Sequence, residues 1–250
     1  MSDRLRSQAF LGVLGIALFL AAWEIIGRSG VAGLTWPPLS QVVTHMLQPS
    51  VRSLLGRAMP ATFGAMALGY VIGAAFGIGL AVVGYAVRPL QRGADLGATL
   101  LHSIPAIALA PIFVLGFGRE TAPTALAAFN AFFVFYVAAS SGLANNSPVF
   151  RDLMTVFGAS WWSRFVQVDL PAALPAIGTG MKLAVPTSLI GAIVGEWVGA
   201  PRGLGLLIVT AMQNFQIPLL WSAVLVTAIL SFTLFCLLSL VERFIYERFR

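Results

Sequence analysis

Long apolar stretches make up most of the chain, and shorter polar segments separate them. A helix needs about 20 consecutive apolar residues to cross the hydrocarbon core of a membrane. Segments of roughly this length cover residues 10–26, 61–84, 96–117, 122–142, 176–198 and 219–241. The pattern therefore predicts an all-α, polytopic membrane protein with six transmembrane helices. All six are assigned to a single transmembrane domain that spans residues 1–250.

The first apolar segment is the shortest of the six and has Glu24 near its end. Arg4 and Arg6 precede it, as basic residues precede the apolar region of a secretory signal. No cleavage site of the small-x-small type follows at a suitable distance. The segment is therefore predicted to remain in the protein as its first span.

The second segment carries glycine at every fourth position, at Gly69, Gly73 and Gly77. A helix face without side chains lets the backbone of another helix approach closely inside lipid. This face is predicted to pack against another helix of the same chain. In the third segment, Pro105 and Pro111 are expected to bend or loosen the helix, because proline removes a backbone hydrogen bond.

The connection between the fourth and fifth segments, residues 143–175, is half polar but strongly patterned. Ser147 can cap a helix, Pro148 suits the first helical position, and Gly158 suits the position just after a helix ends. Between them, apolar residues recur at helical spacing and form one face. This face consists of Phe150, Leu153, Met154 and Phe157. The spacing predicts a short amphipathic helix.

A second short helix is predicted after Gly158 in the same connection. Ser160 can cap its start, and Leu170-Pro171 is expected to end it before the fifth apolar segment. Its apolar side consists of Trp161, Phe165 and Val168, and its polar side contains Arg164 and Gln167. An apolar face of this size needs a partner. Docking to another protein is one interpretation, and packing on the membrane or beneath the chain's own helices is the other.

The composition supports the membrane class. Hydrophobic residues make up 58% of the chain and charged residues only 10%, whereas about 25% of residues are charged in soluble domains. The formal net charge is +6, but the basic residues are scattered and form no run with interleaved aromatic residues. Nucleic acid is therefore not expected as a partner. Cys236 is the single cysteine, so no intrachain disulfide is possible.

Basic residues are distributed unequally between the two sides that six spans define. One side has nine arginines, namely Arg4, Arg6, Arg88, Arg92, Arg151, Arg164, Arg243, Arg248 and Arg250. The other side has five, namely Arg28, Arg52, Arg57, Arg119 and Arg202. Cytoplasmic loops of membrane proteins carry the excess of basic residues. The count predicts that both termini and the 143–175 connection face the cytoplasm.

The chain lacks the residue sets that most catalytic sites require. A phosphate-binding loop of the Walker type needs glycine followed by lysine, but the single lysine, Lys182, follows Met181 within the fifth span. Two histidines and one cysteine do not make a metal-ligand cluster. No catalytic site, metal or cofactor is therefore expected in this chain. Lys182 lies about two turns into its span and is expected to be a structural anchor that reaches toward the membrane surface.

Four residues within the spans are candidates for lining a solute pathway or gate, namely His102, Ser103, Pro105 and Glu196. A polar helix end next to a proline bend is suited to line a pathway, but it can equally hydrogen-bond backbone groups that the proline frees. Glu196 lies near the outer end of the fifth span. It can pair with an arginine or border a gate.

The 143–175 connection also resembles a family signature. Gly158, followed ten residues later by Val168-x-Leu170-Pro171, is similar to the EAA signature of ABC importer permeases. The stretches "PAALPAIGTGMKLAVPTSLIGAIVGEWVGAPRGLGLLI" (171–208) and "SIPAIALAPIFVLGFG" (103–118) resemble the nitrate/sulfonate/taurine branch of that family. The likeness covers most of residues 36–250. It departs from the usual pattern where Asp152-Leu153-Met154 replace Glu-Ala-Ala.

This resemblance implies a type I permease fold, with residues 143–175 as the coupling loop that docks onto a cytoplasmic ATPase. The positions it assigns to coupling are Phe150, Asp152, Leu153, Met154, Phe157, Gly158, Ala159, Trp161, Arg164, Leu170 and Pro171. It further implies a multi-pass protein of the bacterial inner membrane. ATP and Mg²⁺ are expected on a separate pair of ATP-binding subunits and not on this chain.

The other implied partners are an extracytoplasmic solute-binding protein and a second copy of the chain, which would form a homodimer. The solutes of this branch are sulfonates, taurine, nitrate and similar small anions, or pyrimidine-type precursors. Two other functions fit a polytopic membrane protein. A channel or secondary transporter that works without ATP would need charged or polar residues at mid-membrane depth, and inverted repeats would support it. A structural scaffold would only dock a partner.

Overall fold

The structure, a computed structural model, describes residues 2–145 and 148–249. These residues are helical almost throughout, and none of them lies in a β-strand. In chain order the helices are α1 (Ser2–Ser29), α2 (Leu39–Met46), α3 (Pro49–Ala86), α4 (Arg88–Ser103), α5 (Ala106–Phe117), α6 (Ala122–Ala144), α7 (Pro148–Val156), α8 (Trp161–Arg164), α9 (Leu170–Trp197), α10 (Leu204–Gln213) and α11 (Ile217–Phe249). The predicted helix cap at Ser147 lies outside the described residues.

Five helical segments among the described residues are long and apolar enough to cross a membrane. They are Phe10–Ser29, Pro49–Ala86, Ala122–Ala144, Trp161–Trp197 and Ile217–Arg248. The pair formed by α4 and α5 makes a sixth span if the two helices are counted together. The structure therefore confirms an all-α, polytopic membrane protein.

The predicted third span, 96–117, is divided into two helices. α4 ends at Ser103 and α5 begins at Ala106, and their axes meet at 96°. The break lies at Pro105, which forces the preceding Ile104 into an extended conformation (φ −81°, ψ 122°). Pro111 lies inside α5 without interrupting it. The bend that the two prolines predict therefore occurs at the first of them.

The prediction that Leu170-Pro171 ends a separate helix is wrong. Helix continues from Trp161 to Trp197, because a π-helical segment, Phe165–Asp169, joins α8 to α9. Within it the Leu170 N–H donates to the Phe165 carbonyl, five residues back. Proline normally breaks a helix by clashing with the carbonyl four residues before it. The wider π turn shifts these carbonyls and makes room for the Pro171 ring.

The described residues form two compact units. The first contains residues up to Arg57 together with Leu207–Val226. Three tryptophans pack together in it, with ring centroids 4.8–5.7 Å apart, and these are Trp23, Trp36 and Trp221. In the same unit the Ser40 N–H of α2 donates to Glu24 at 2.9 Å, and Arg28 pairs with the same carboxylate. Glu24 is thus paired within its apolar helix.

The second unit contains Ala58–Leu206 and the chain from Thr227 onward. In this unit the glycine face of α3 packs on α6, as predicted. A side chain at Gly73 would place its Cβ 2.6 Å from the Ala128 carbonyl oxygen, and Gly69 and Gly77 are equally close to α6. A Cβ at Gly191 of α9 would lie 2.8 Å from Ala127 Cα of α6. Glycine therefore lets both α3 and α9 pack closely on the backbone of α6.

Candidate functional site

The amphipathic helix α7 exposes the apolar face that the sequence predicts. Phe150, Leu153 and Phe157 are all exposed, and the Phe157 side chain retains 76% of its accessible surface. Met154 is half-buried, and Asp152 is exposed. Two further apolar residues of the same helix, Val149 and Val156, are exposed as well. The sequence pattern missed these two because they lie outside the predicted i, i+3, i+4, i+7 face.

The turn after α7 has the geometry that its glycine predicts. Gly158 has φ +70°, a left-handed conformation that favours glycine over any residue with a side chain. The Ala159 N–H donates to the Met154 carbonyl at 2.9 Å and closes the end of the helix. Ser160 then caps α8, because its hydroxyl oxygen accepts from the Ser163 N–H at 3.2 Å. Both helix boundaries predicted around the turn are confirmed.

The residues of α8 and the π segment are attached to the helical bundle. Trp161 stacks on Phe165, whose ring is buried, with 5.2 Å between centroids. Arg164 lies 3.5 Å from Asp169, which is fully buried. The Trp162 side chain remains exposed. The sequence did not identify Asp169 or Trp162. An acid five residues after an arginine does not share its face on an α-helix, and Asp169 reaches Arg164 here through the π-helical segment.

The last two coupling candidates, Leu170 and Pro171, are half-buried at the start of α9. They therefore belong to the base of a membrane-length helix and not to the exposed surface of the loop. The structure groups the candidates into an exposed set on α7 and a set anchored in the bundle from Trp161 onward.

A cavity of about 510 Å³ opens along α6 and α9 and is lined mainly by apolar residues. His102 lines it, and its ring stacks on Phe133 at 3.9 Å between centroids with an angle of 6°. Hydroxyl groups of Ser141, Thr179 and Thr187 add polar atoms to the lining. This cavity therefore combines a flat aromatic pair with hydrogen-bonding groups.

The two neighbouring candidates do not line this cavity. The Ser103 hydroxyl donates to the Thr99 carbonyl at 2.8 Å, within its own helix. Pro105 lies at the exposed break between α4 and α5. Of the three candidates in this region, only His102 is placed to contact a solute.

Glu196 is almost completely buried, and its carboxylate joins three elements. The Thr62 hydroxyl of α3 donates to Oε2 at 3.1 Å, and the Gly205 N–H of α10 donates to the same oxygen at 2.7 Å. The Leu204 N–H in turn donates to the Thr62 hydroxyl at 2.8 Å. Gly203, with φ +133°, packs directly on the carboxylate, where no side chain would fit. Its polar partners are thus a hydroxyl and a backbone N–H, and not the arginine that was one of the two expectations.

Lys182 pairs with Glu242 of α11, and Thr179 donates to the same carboxylate at 2.7 Å. Both charged side chains are mostly buried. Glu242 was not identified from the sequence because it follows the last predicted span, 219–241. A lysine within a span needs an acidic partner, and in the proposed topology Glu242 lies at the same membrane side.

Comparison with known proteins adds a family match and several relatives. A family model described as "Binding-protein-dependent transport system inner membrane component" matches residues 73–250. The formylaminopyrimidine transport permease protein ThiX of Halalkalibacterium halodurans is 30% identical over 236 residues, which are 94% of each chain. The putative aliphatic sulfonates transport permease protein SsuC of Bacillus subtilis is 27% identical over 235 residues, covering 93% of this chain and 85% of its own.

The fold is also similar to that of a solved transporter. A chain of the MetNI methionine ABC transporter in an inward-facing conformation superposes with a TM-score of 0.71 at 19% sequence identity. The match covers 80% of this chain and 99% of the other. At this identity the likeness establishes a shared fold and nothing about the transported solute.

Proposed function

The chain belongs to the binding-protein-dependent transport system inner membrane components, the permeases of ABC importers, and from this premise we propose that α7 is its coupling helix. In this proposal α7 docks on a separate ATP-binding subunit in the cytoplasm. The observation that carries it is the exposed apolar face of α7, which ends at the glycine turn of the signature-like segment.

The exposed face of α7 supports the proposal energetically. Burying a Leu or Phe side chain that was exposed contributes about 1.5–3 kcal/mol. Phe150, Leu153 and Phe157 together are therefore enough to anchor an interface. Because the Ala159 and Ser160 bonds fix both helix ends beside the turn, α7 is presented as a formed helix that can enter a groove.

The residues of this chain support the assignment of ATP hydrolysis to a separate subunit. Its single lysine is paired with Glu242 inside the membrane, and it has no phosphate-binding loop of the Walker type. We therefore assign ATP and Mg²⁺ to a pair of ATP-binding subunits and treat this chain as non-catalytic. An extracytoplasmic binding protein delivers solute to the opposite side, and both termini of the permease face the cytoplasm.

A second copy of the chain is needed to complete the pathway in this proposal. The cavity along α6 and α9 is open on one side, and His102, Thr179 and Thr187 face into it. Two copies related by a two-fold axis would close two such half-cavities into one pathway. We propose a homodimer with His102 beside the pathway and with Glu196 at its outer end.

The solute is a small molecule of the kind that the relatives' names give, either an aminopyrimidine or an aliphatic sulfonate. The half-cavity suits either class. Its aromatic pair offers a flat surface to a ring, and the Ser141 hydroxyl can donate to an acceptor oxygen. The hydroxyls of Thr179 and Thr187 already donate to Glu242 and to the Ala184 carbonyl, so their oxygens can only accept from a solute.

The coupling role is tested by placing charge on the apolar face of α7. The double variant Leu153→Glu with Phe157→Glu is expected to lose the ATP-binding subunit during affinity purification, because two carboxylates cannot be buried in an apolar groove without a partner. Gln167→Glu is the matched control, since it adds an acid to an exposed position of the same loop. Retention of the ATP-binding subunit by the double variant, with normal ATPase activity, would exclude α7 as the coupling helix.

A further inference from the structure

The carboxylate of Glu196 and the coupling loop lie at opposite ends of one continuous helix. Trp161 begins the helical segment that ends at Trp197, and Glu196 follows Trp161 by 35 residues. At about 1.5 Å per residue this segment is roughly 50 Å long, so it spans the membrane with its lower end in the coupling loop. The coupling loop and Glu196 are therefore connected by one helical segment, within which Pro175 and Pro186 lie.

The contact at Glu196 ties this helix to two other elements. The carboxylate accepts from Thr62 of α3 and from Gly205 in the first turn of α10. A negative charge is favourable at the N-terminus of a helix, and the N–H groups there have no partner within their own helix. A buried carboxylate that lost these donors would be costly. The Glu196 carboxylate therefore holds α3, α9 and α10 together.

The surroundings of Glu196 also include a cavity with polar lining residues. A cavity of about 300 Å³ lies beside the carboxylate and is lined by Glu120, Thr124 and Arg202 among others. If α9 moves away from Thr62 and Gly205, water in this polar cavity can solvate the carboxylate. In such a movement Glu196 would exchange its bonds to protein for bonds to water, as a two-state contact requires.

We propose that Glu196 is a positioning residue that holds the outer end of the pathway closed until the coupling loop moves. The proposal rests on the proposed function, because it takes α7 to be driven by the ATP-binding subunit. In the resting transporter the bonds to Thr62 and Gly205 keep α3, α9 and α10 together. Binding protein and ATP act jointly to separate them, so ATP hydrolysis without binding protein remains slow.

The test compares ATP hydrolysis with and without binding protein in the complete transporter, purified and reconstituted in liposomes. Thr62→Val removes one hydroxyl and two hydrogen bonds, and Glu196→Leu removes the carboxylate. Each is expected to raise hydrolysis in the absence of binding protein by roughly fivefold or more, the factor that one hydrogen bond of about 1 kcal/mol represents. The ratio of stimulated to basal hydrolysis therefore falls toward one.

Conservative variants separate positioning from a purely structural role. Thr62→Ser keeps the hydroxyl and Glu196→Gln keeps an acceptor oxygen for Gly205, so both are expected to retain most of the stimulation ratio. Thr233→Val, which removes a hydroxyl that donates within its own helix α11, should leave the ratio unchanged. If the Glu196→Leu transporter does not assemble, the stimulation ratios of Thr62→Val and Thr62→Ser are compared instead, and this comparison tests the proposal.

An unchanged stimulation ratio in assembled Thr62→Val transporter would overturn the proposal, because a structural contact would lower both rates together. A different result is expected if the proposed function itself is wrong and the chain is not driven by an ATP-binding subunit. In that case the unmodified chain itself would neither retain an ATP-binding subunit nor show hydrolysis that responds to binding protein.

Discussion

Lys182 and Glu242 show how a charge is tolerated inside a membrane-length helix. Their side chains retain 24% and 17% of their accessible surface, respectively, and Thr179 donates to the same carboxylate. The pair joins α9 to α11 within one compact unit. Because each charge compensates the other, removing one of them leaves the other unpaired.

A double-mutant cycle on this pair has a defined outcome. Lys182→Met and Glu242→Gln are each expected to destabilise the protein by about 2 kcal/mol, a value reduced from that of a fully buried pair because both groups are partly exposed. The combined variant should recover most of the loss. The stability of all three variants is measured by thermal unfolding in detergent. Additive losses in the combined variant would mean that the two side chains do not stabilise each other.

The sequence predicted residues whose role is local and missed those whose role depends on a distant partner. Gly158 and Ser160 follow capping rules that need only neighbouring residues, and both are found as predicted. Thr62 and Glu242 could not be assigned, because each acts on a residue more than 50 positions away. A single sequence contains no signal for such pairings.

At the scale of elements, the glycine face of α3 makes the closest helix contact that the sequence predicted. Gly73 lies against the backbone of α6, whereas a Cβ added at Gly79 of the same helix would have no neighbour within 4 Å. The contrast between these two glycines provides an internal control for the effect of close packing.

Gly73→Ala is expected to destabilise the protein by roughly 1–3 kcal/mol, because the added methyl group forces α3 and α6 apart. Gly79→Ala should be neutral or slightly stabilising, since alanine favours helix and meets no neighbour there. Thermal unfolding of the two variants under the same detergent conditions gives the comparison. Equal stability of both would show that α3 and α6 are not in close contact in the membrane.

The breaks between elements were predicted less well than the elements themselves. Pro105 is predicted to bend or loosen a helix and Pro171 to end one, yet only Pro105 interrupts the helix. The difference arises from the π segment before Pro171, which accommodates a proline that an α-helix would exclude. Phe165 and Asp169, the first and last residues of this segment, are buried, and tertiary burial of this kind is not visible in the sequence.

At the scale of the whole molecule, the apolar pattern was sufficient for the fold class. Spans are set by the thickness of the hydrocarbon core and by the need to satisfy backbone hydrogen bonds within each helix. Both constraints act on composition and length, so they can be read from one sequence. The solute cannot be read from the sequence, because the cavity lined by His102 and Phe133 is assembled from α4, α6 and α9. In the proposed homodimer a second copy would complete it.

The proposed orientation is tested by labelling cysteines from one side of the membrane. After Cys236 is replaced by serine, cysteines are introduced at Arg57 and at Trp162, both of which are exposed. An impermeant maleimide applied to intact cells lacking their outer membrane should label position 57 and not position 162. Labelling of both positions, or of position 162 alone, would reverse or exclude the proposed topology.

The most direct test of the account is a site-specific photo-cross-link from α7 in the assembled transporter. A photoreactive amino acid at Phe157 is predicted to form a covalent adduct with the ATP-binding subunit, whereas the same group at Arg202, beyond the other end of α9, should form none. Mass spectrometry of the adduct identifies the partner. An adduct between Arg202 and the ATP-binding subunit, or none from Phe157 in an intact complex, would contradict the assignment of α7 as the coupling helix.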